Sequence, residues 1–561
     1  MSRRQSKLKE LLRNTSGNIT LTVALAALPM LTVAGAAIDY VSMSRDITSF
    51  QSAVDTAVMA VTASDLASLT GLSGNALTQR MTQLETMASN YIEANYTSRT
   101  GRDNGFDVDL VIDGSKVQLT ATHMVDSVWM KSFGIVSPEV TITSEVQKAA
   151  RPIELVLVMD TTGSMGTTYM QQARVAARNL MNKIYDGPLS EKPDNEYIRV
   201  GFVPFSGAVR LDTAGYDFSM DWIDTTGAAA VSKLNFSNSN WHNWQAWTSL
   251  YNRPWNGCVE ARLGDYATDD TAPIAGNTLF TPYFAPDEPS YSNSTSNGYY
   301  NSYISTSGSP NETSSITSNP GCSGFSSGST STTNLLCRQN NQNKYVNKSI
   351  SSESSSQYGP WFNCAKTKVV GLTYDRSKVE DAITDMTASG STVIPEGLAW
   401  GWRVLSPTAP FTQVQGSVNE PADVIAPYNS ARWQKIMVLM TDGENDVLSS
   451  GNQINNLNGT WYSAYGRGKA TTNNRFGTTT SSQTSAALDT KMTELCNNIK
   501  AQGITLYTVA FRVNSTSIQN RLRACATTEA NYSYAADGVA LAAVFDHIGE
   551  NVANTNIYLS K

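Results

Sequence analysis

Histidine is scarce in this chain. Its 561 residues hold only three, His123, His242 and His547, and no two are close in sequence. That scarcity argues against a histidine-ligated zinc site and against a Ser-His-Asp hydrolase. Charge is also sparse, at 16% Asp, Glu, Lys and Arg, and the balance is acidic with a formal net charge of −7. The basic face expected of a nucleic-acid binder is therefore missing. No Gly-Lys-Ser/Thr follows a glycine-rich strand end, which excludes a Walker A loop. The first 257 residues contain no cysteine, and no CxxC occurs anywhere. This rules against thioredoxin-like chemistry and zinc ribbons. The six cysteines are Cys258, Cys322, Cys337, Cys364, Cys496 and Cys525. An even number confined to the later part of the chain fits disulfides in an oxidising compartment, although six cysteines leave many pairings open. Cys496–Cys525 is the expected pair, with Cys258 pairing inside the long insertion described below.

What is present begins at the N-terminus. Residues 14–38, NTSGNITLTVALAALPMLTVAGAAI, carry no charge. That is the length of a bilayer-spanning helix. Arg3, Arg4, Lys7, Lys9 and Arg13 precede it against the single acid Glu10. The positive-inside rule then keeps residues 1–13 cytoplasmic and exports everything beyond the span. Pro29 is tolerable in such a helix. Ala34-Gly35-Ala36 resembles a signal-peptidase site, but the apolar run exceeds the usual signal length, so an uncleaved single-pass anchor is expected. After it, Tyr40, Met43, Ile47, Phe50, Val54, Ala57 and Val61 recur at helical spacing, a stripe fit to seat a partner helix or the chain's own domain. A second helix is expected over Leu77–Tyr96. FDVDLVI and KVQLTAT alternate and flank Asp113-Gly114-Ser115, a hairpin signal, and EVTITSEV adds a strand. Residues 39–150 thus read as a small α+β stalk.

From Ile153 onward strands and helices alternate. The length alone suggests roughly three to four domains. IELVLVMD (153–160), YIRVGFVPF (197–205), KIMVLMTD (435–442) and ITLYTVAF (504–511) are apolar strands, and NYSYA adds a short one. Helices are expected near 169–184, 378–386, 395–405, 484–501, around Ile518 and over 538–551. The pattern predicts an α/β fold, a doubly wound, mostly parallel sheet covered on both faces. It is assigned to residues 151–206 and 376–561. Residues 207–375 interrupt it as one insertion, rich in tryptophan and then in Ser, Asn, Thr and Gly. Its composition suits a small disulfide-stapled core better than a large one. Trp241, Trp244, Trp247 and Trp255 could alternatively stack on sugars.

The chemistry concentrates where strands end. Asp160 closes the first apolar strand, and Thr162 and Ser164 follow on alternate positions of VLVMDTTGSMGTTY. Asp442 stands at the tip of another strand in MTDGEND, and Thr392 sits directly before a helix in ASGSTVIPEGLAWGW. In an open parallel sheet, ligands bind beyond the carboxyl ends of the strands. Carboxylates with hydroxyls are hard oxygen ligands, suited to Mg²⁺, Mn²⁺ or Ca²⁺.

This pattern, Asp-x-Thr-x-Ser, a distant Thr and a Thr-Asp-Gly strand end, resembles the metal-ion-dependent adhesion site of von Willebrand factor type A domains. The resemblance implies that Ser164 and Thr392 coordinate a divalent cation, Mg²⁺ first among the candidates, directly or through water. Thr162 takes the place of the motif's first serine, a departure. Asp160 and Asp442 orient waters and supply charge, and a partner protein's acidic group fills the open position. The basic N-terminus, SGNITLTVALAALPMLTVAGAAIDY, SAVDTAVMAVTAS, GLAWGWRVLSP and the C-terminal LCNNIKAQGITLYTVAF resemble the TadG-like proteins of tight-adherence (Flp-type) pilus systems. That implies a bacterial inner-membrane protein with its bulk periplasmic or surface-exposed, partnered by pilus-assembly or pilin-like proteins and not by nucleic acid. Prepilin-type cleavage after Gly17 is not expected, because Thr22 replaces the required glutamate. Two other readings remain: a metal-dependent lectin or matrix binder, and a haloacid-dehalogenase-like phosphatase, for which the acid expected at Thr162 is missing. A non-enzymatic binding protein is the expectation.

Overall fold

A computed structural model describes residues 18–64, 74–97, 106–113, 116–125, 127, 129–132, 138–148, 152–186, 197–215, 218–236, 238–251, 253–288, 301–304, 332–353, 358–416, 423–447, 460–468, 473–553 and 557–559. The chain divides into two compact units, residues 1–150 with 554–561, and residues 151–553.

The first unit holds helices α1 (Asn18–Ala63) and α2 (Gly74–Asn95) and strands β1 (Asp107–Asp113), β2 (Lys116–Met124) and β3 (Glu139–Lys148). β1, β2 and β3 form an antiparallel meander, and Ile557–Leu559 pairs antiparallel with β3 as a fourth strand. The extreme C-terminus therefore belongs to this unit and not to the α/β domain to which the sequence pattern assigned it. A three-residue strand has too little periodicity to announce its partner, and the free edge of β3 takes it. Phe50, Val54, Ala57, Val58 and Val61 of α1 bury with Leu84, Ala88 and Ile92 of α2 against Leu110, Val117, Leu119, Ile142 and Val146. α1 is one 46-residue helix that runs through Pro29. The expected membrane span and the expected amphipathic helix are thus a single element, since nothing between Ile38 and Tyr40 breaks or caps it. Residues 14–17 of the expected span lie outside the described residues. Thr22–Ala63 is long and apolar enough to cross a membrane, and Val23, Leu25, Met30, Leu31 and Val33 are exposed along it.

The second unit is α/β. Its strands are β4 (Ile153–Asp160), β5 (Ile198–Phe205), β6 (Val370–Thr373), β7 (Gln434–Thr441), β8 (Thr505–Phe511) and β9 (Tyr532–Ala535). They form one six-stranded sheet ordered β6-β5-β4-β7-β8-β9. Every pairing is parallel except β5–β6. β6 falls within the stretch that the sequence pattern assigns to the insertion, because four residues at an edge show no alternation. β4 and β5 are buried along their whole length, as strands covered on both faces must be. The helices are α3 (Gly166–Tyr185), α4 (Arg376–Asp385), α5 (Ile394–Leu405), α6 (Ser481–Ala501), α7 (Thr516–Cys525) and α8 (Gly538–Ala553). They pack as two groups, α3 with α4 and α8, and α5 with α6, which also meets α7. α5 is buried along its full length. Its Gly397 and Gly401 let it lie directly on the sheet, since a Cβ there would stand 2.6 Å from Phe205 Cδ1 and 2.5 Å from Val158 Cγ2.

The insertion does not hang from this domain as a poor-core loop. Val209, Leu211, Trp222, Ile223, Val259, Phe280 and Val369 join the same apolar cluster as Val156 and Val158 of β4. A second cluster gathers Trp247, Phe284, Ile304, Tyr345 and Trp361. The Ser- and Asn-rich stretch hid a core because its large apolar residues come singly. Cys258 pairs with Cys364 and Cys496 with Cys525. Cys337 is also disulfide-bonded, and Cys322 lies outside the described residues.

Candidate metal centre

The order of the sheet sets the place. The chain leaves β4 towards β5 and returns on the other side at β7. Between β4 and β7 the strand order reverses, so the loops after them diverge and leave a crevice. Asp160 ends β4, and Asp442 follows the last residue of β7.

Four of the five expected residues are linked there. Asp160 is fully buried. Its Oδ1 accepts the Thr162 backbone N–H at 2.8 Å and its Oδ2 accepts the Thr441 hydroxyl at 2.6 Å. Ser164 Oγ donates to Asp442 Oδ1 at 2.7 Å and lies 2.8 Å from Thr162 Oγ1. Asp160, Thr162, Ser164 and Asp442 are therefore linked by hydrogen bonds into an open ring across two strand ends. Thr392 arrives from the loop before α5. Its Oγ1 lies 3.8 Å from where a Cβ on Gly443 would sit, so its hydroxyl faces the turn that carries Asp442. Two backbone hydrogen bonds of 2.9 Å between Thr392 and Asp446 fix that approach.

The loops are tied to each other as well as to their strands. Gly163 N donates to Gly390 O at 2.9 Å, and Ser389 N to Thr161 O at 2.8 Å. A Cβ on Gly163 would come within 3.2 Å of that carbonyl. The missing side chain of Gly163 thus eases the close approach of the two loops. Sequence reasoning missed two asparagines that hold the Thr392 loop. Asn445 Oδ1 accepts from Ile394 N at 2.9 Å, at the start of α5. Asn363, at φ 69°, exchanges hydrogen bonds with Ser391 of 2.6 and 2.7 Å through both ends of its amide. Asparagine tolerance of the left-handed region is the only signal that could have marked Asn363.

Electrostatics make the ring uncomfortable as a pair of free carboxylates. Burial raises the Asp160 pKa, against which the hydrogen bonds from Thr162 and Thr441 pull. Burial and then the charge of Asp160 push Asp442 up to about 7, against the Ser164 hydroxyl and the Arg512 guanidinium. A divalent cation relieves both causes at once, since it neutralises two desolvated like charges. Among the described residues no group of three or more His, Cys, Asp or Glu side chains is placed to hold a metal. An ion in this ring would have two carboxylates, three hydroxyls and water. That donor set fits a hard cation and leaves it electron-poor.

The tryptophan expectation for sugars fails at Trp247. It is buried, and its Nε1 donates to Tyr283 O at 2.8 Å. It forms part of the insertion's core.

Fold and ring together define an α/β domain with a strand-end oxygen site. No protein-family model matches the chain, and no curated protein matches it. Among solved structures it is similar to the pilus adhesin SpaC from Lactobacillus rhamnosus GG in its open conformation, at 10% identity and a TM-score of 0.29, over 81% of this chain and 34% of that one. The chain thus spans about a third of that adhesin's length. It is also similar to the vWF domain of the type V pili tip protein Mfa5 from Porphyromonas gingivalis, at 11% identity and a TM-score of 0.30, over 72% of this chain and 96% of that one. A third similar structure is proximal thread matrix protein 1 from the mussel byssus with a zinc-occupied MIDAS motif, at 11% identity and a TM-score of 0.18, over 74% and 98% of the two chains. What the site can do follows from its own geometry.

Proposed function

We propose that this protein is a membrane-anchored binding protein of a tight-adherence pilus system. In this reading a divalent cation held by Asp160, Thr162, Ser164, Thr392 and Asp442 captures an acidic group of a partner protein. The observation that carries the proposal is the oxygen ring joining the ends of β4 and β7, with the Thr392 hydroxyl facing it. Ser164 and Thr392 would bind the ion, and Asp160 and Asp442 would supply charge and orient water. Mg²⁺ is the expected ion, with Mn²⁺ and Ca²⁺ of the same class. The apolar half of α1 supports an anchor, and the paired cysteines support an extracytoplasmic location. Membership of the pilus system rests on the TadG-like resemblance of the N-terminal and α5 segments.

A nucleophilic role for Asp160 is poorly served. Its carboxylate is fully buried and both oxygens already accept hydrogen bonds. The test is calorimetry of Mg²⁺ against the detergent-solubilised chain, joined to a pull-down from envelope extract with and without chelator. Wild type should bind one ion and retain partners only with the ion present, and Asp160→Ala should do neither. Equal Mg²⁺ binding by wild type and Asp160→Ala would overturn the proposal.

A further inference from the structure

Resting on that metal site, we propose that Arg512, stacked on Tyr169, is the specificity element beside the open coordination position, and that it selects a carboxylate by binding the oxygen the cation does not. Three observations place it there. The parallel ladder between β7 and β8 ends with Thr441 opposite Ala510, so Asp442 and Arg512 both project just past the same end of adjacent strands. Arg512 is exposed, yet its guanidinium lies 3.8 Å from the ring centroid of Tyr169. Tyr169 comes from the first turn of α3, directly after the Ser164 loop, and is itself braced edge-on by Phe511 at 6.0 Å. Finally, Arg512 has φ 58°. A long side chain pays for the left-handed region, and the Arg512 N–H bond of 2.7 Å to Ala535 O helps hold it.

The chemistry is additive. A guanidinium presents paired N–H donors in the plane of a carboxylate, and stacking on an aromatic ring fixes that plane. An electron-poor cation and a fixed guanidinium on one rim form a two-point receptor for a carboxylate, such as an Asp or Glu side chain on a partner. The same positive charge opposes the cation itself. Arg512 therefore acts on the two ligands with opposite sign, which a merely structural residue does not.

The experiment uses full-length protein in detergent with Mn²⁺ as the ion and acetate as the carboxylate. Mn²⁺ affinity is measured by calorimetry. Displacement of Mn²⁺-bound water by acetate is read from solvent-proton relaxation. Arg512→Gly is the main variant, because glycine accepts the left-handed backbone and cannot fail to fold for that reason. Arg512→Gly should leave Mn²⁺ affinity unchanged or raise it, and weaken acetate by roughly tenfold, the scale of one charge-assisted hydrogen bond. Arg512→Lys should fall between, keeping charge but losing the fork and the stack. Unchanged acetate affinity in Arg512→Gly, or a parallel loss of Mn²⁺ and acetate, overturns the role of Arg512. Wild type that binds Mn²⁺ but shows no acetate response overturns it as well, and leaves the metal site standing. Wild type that binds no Mn²⁺ sinks the site and this inference together.

Discussion

Asp442 is the residue whose environment makes the clearest demand. Its folded pKa is raised to about 7 by burial and by the neighbouring Asp160, against an unfolded value near 3.9. Between those values the folded, ion-free protein binds more protons than the unfolded chain. Stability from this group therefore falls as pH rises from about 4 to about 7 and is lowest above that window. Thermal melts in chelator should show a lower Tm at pH 8 than at pH 5.5, with the difference shrinking in Mg²⁺. Asp442→Asn should flatten the chelator difference, raise the ion-free Tm at pH 8 and abolish the Mg²⁺ response. An unchanged pH slope in Asp442→Asn would show that the carboxylate is not desolvated as described. Thr392→Val tests the remaining candidate ligand. It keeps shape and the two backbone bonds to Asp446, so the fold should survive while Mg²⁺ affinity drops by roughly tenfold, the scale of one lost polar contact. Calorimetry that finds Mg²⁺ affinity intact would remove Thr392 from the site.

At the scale of elements, α5 positions Thr392, and its contact with the sheet depends on absent side chains. Gly401→Ala would place a methyl 2.5 Å from Val158 Cγ2 and 3.2 Å from Met437 Cε. Overpacking of this kind costs about 1–3 kcal/mol, which denaturant melts would read, and the displaced helix should also weaken Mg²⁺ binding. A neutral Gly401→Ala would mean that α5 rides higher than described. Legibility also divides at this scale. β4, β5, β7 and β8 were readable because a strand buried on both faces writes a continuous apolar run. The five candidate positions stand out in the sequence because each stands where such a run stops or a helix begins. β6 and Ile557–Leu559 were not readable, since short edge strands take their order from neighbours rather than from their own pattern. Asn363, Asn445 and Arg512 were invisible for a related reason: a loop residue that braces a site has no period, and its partners lie far along the chain.

For the α/β unit as a whole, the insertion and the candidate metal centre are mechanically continuous. Asn363 holds Ser391, next to Thr392, and Asn363 is adjacent to Cys364, which is bonded to Cys258. Asn363 Nδ2 also donates to Tyr462 O at 2.7 Å, so a second loop leans on the same amide. The packing leaves that side chain little freedom, since a Cβ on Gly207 would stand 2.2 Å from its Nδ2. The bridge spans 106 residues. A cross-link of that span restrains the unfolded chain by up to about 4.7 kcal/mol in the chain-entropy view. Its loss should therefore act twice. Cys258→Ser with Cys364→Ser should lower stability by about 2–4 kcal/mol, and in the protein that remains folded it should weaken Mg²⁺ binding, because Asn363 loses its tether. Removing Cys496 and Cys525 serves as the control. That bridge joins α6 to α7 and touches none of the Thr392 contacts, so it should cost stability with Mg²⁺ affinity unchanged. Calorimetry on both double variants at a temperature where each is folded separates the effects. Equal Mg²⁺ affinities in the two would mean that the insertion stabilises the domain without shaping its site.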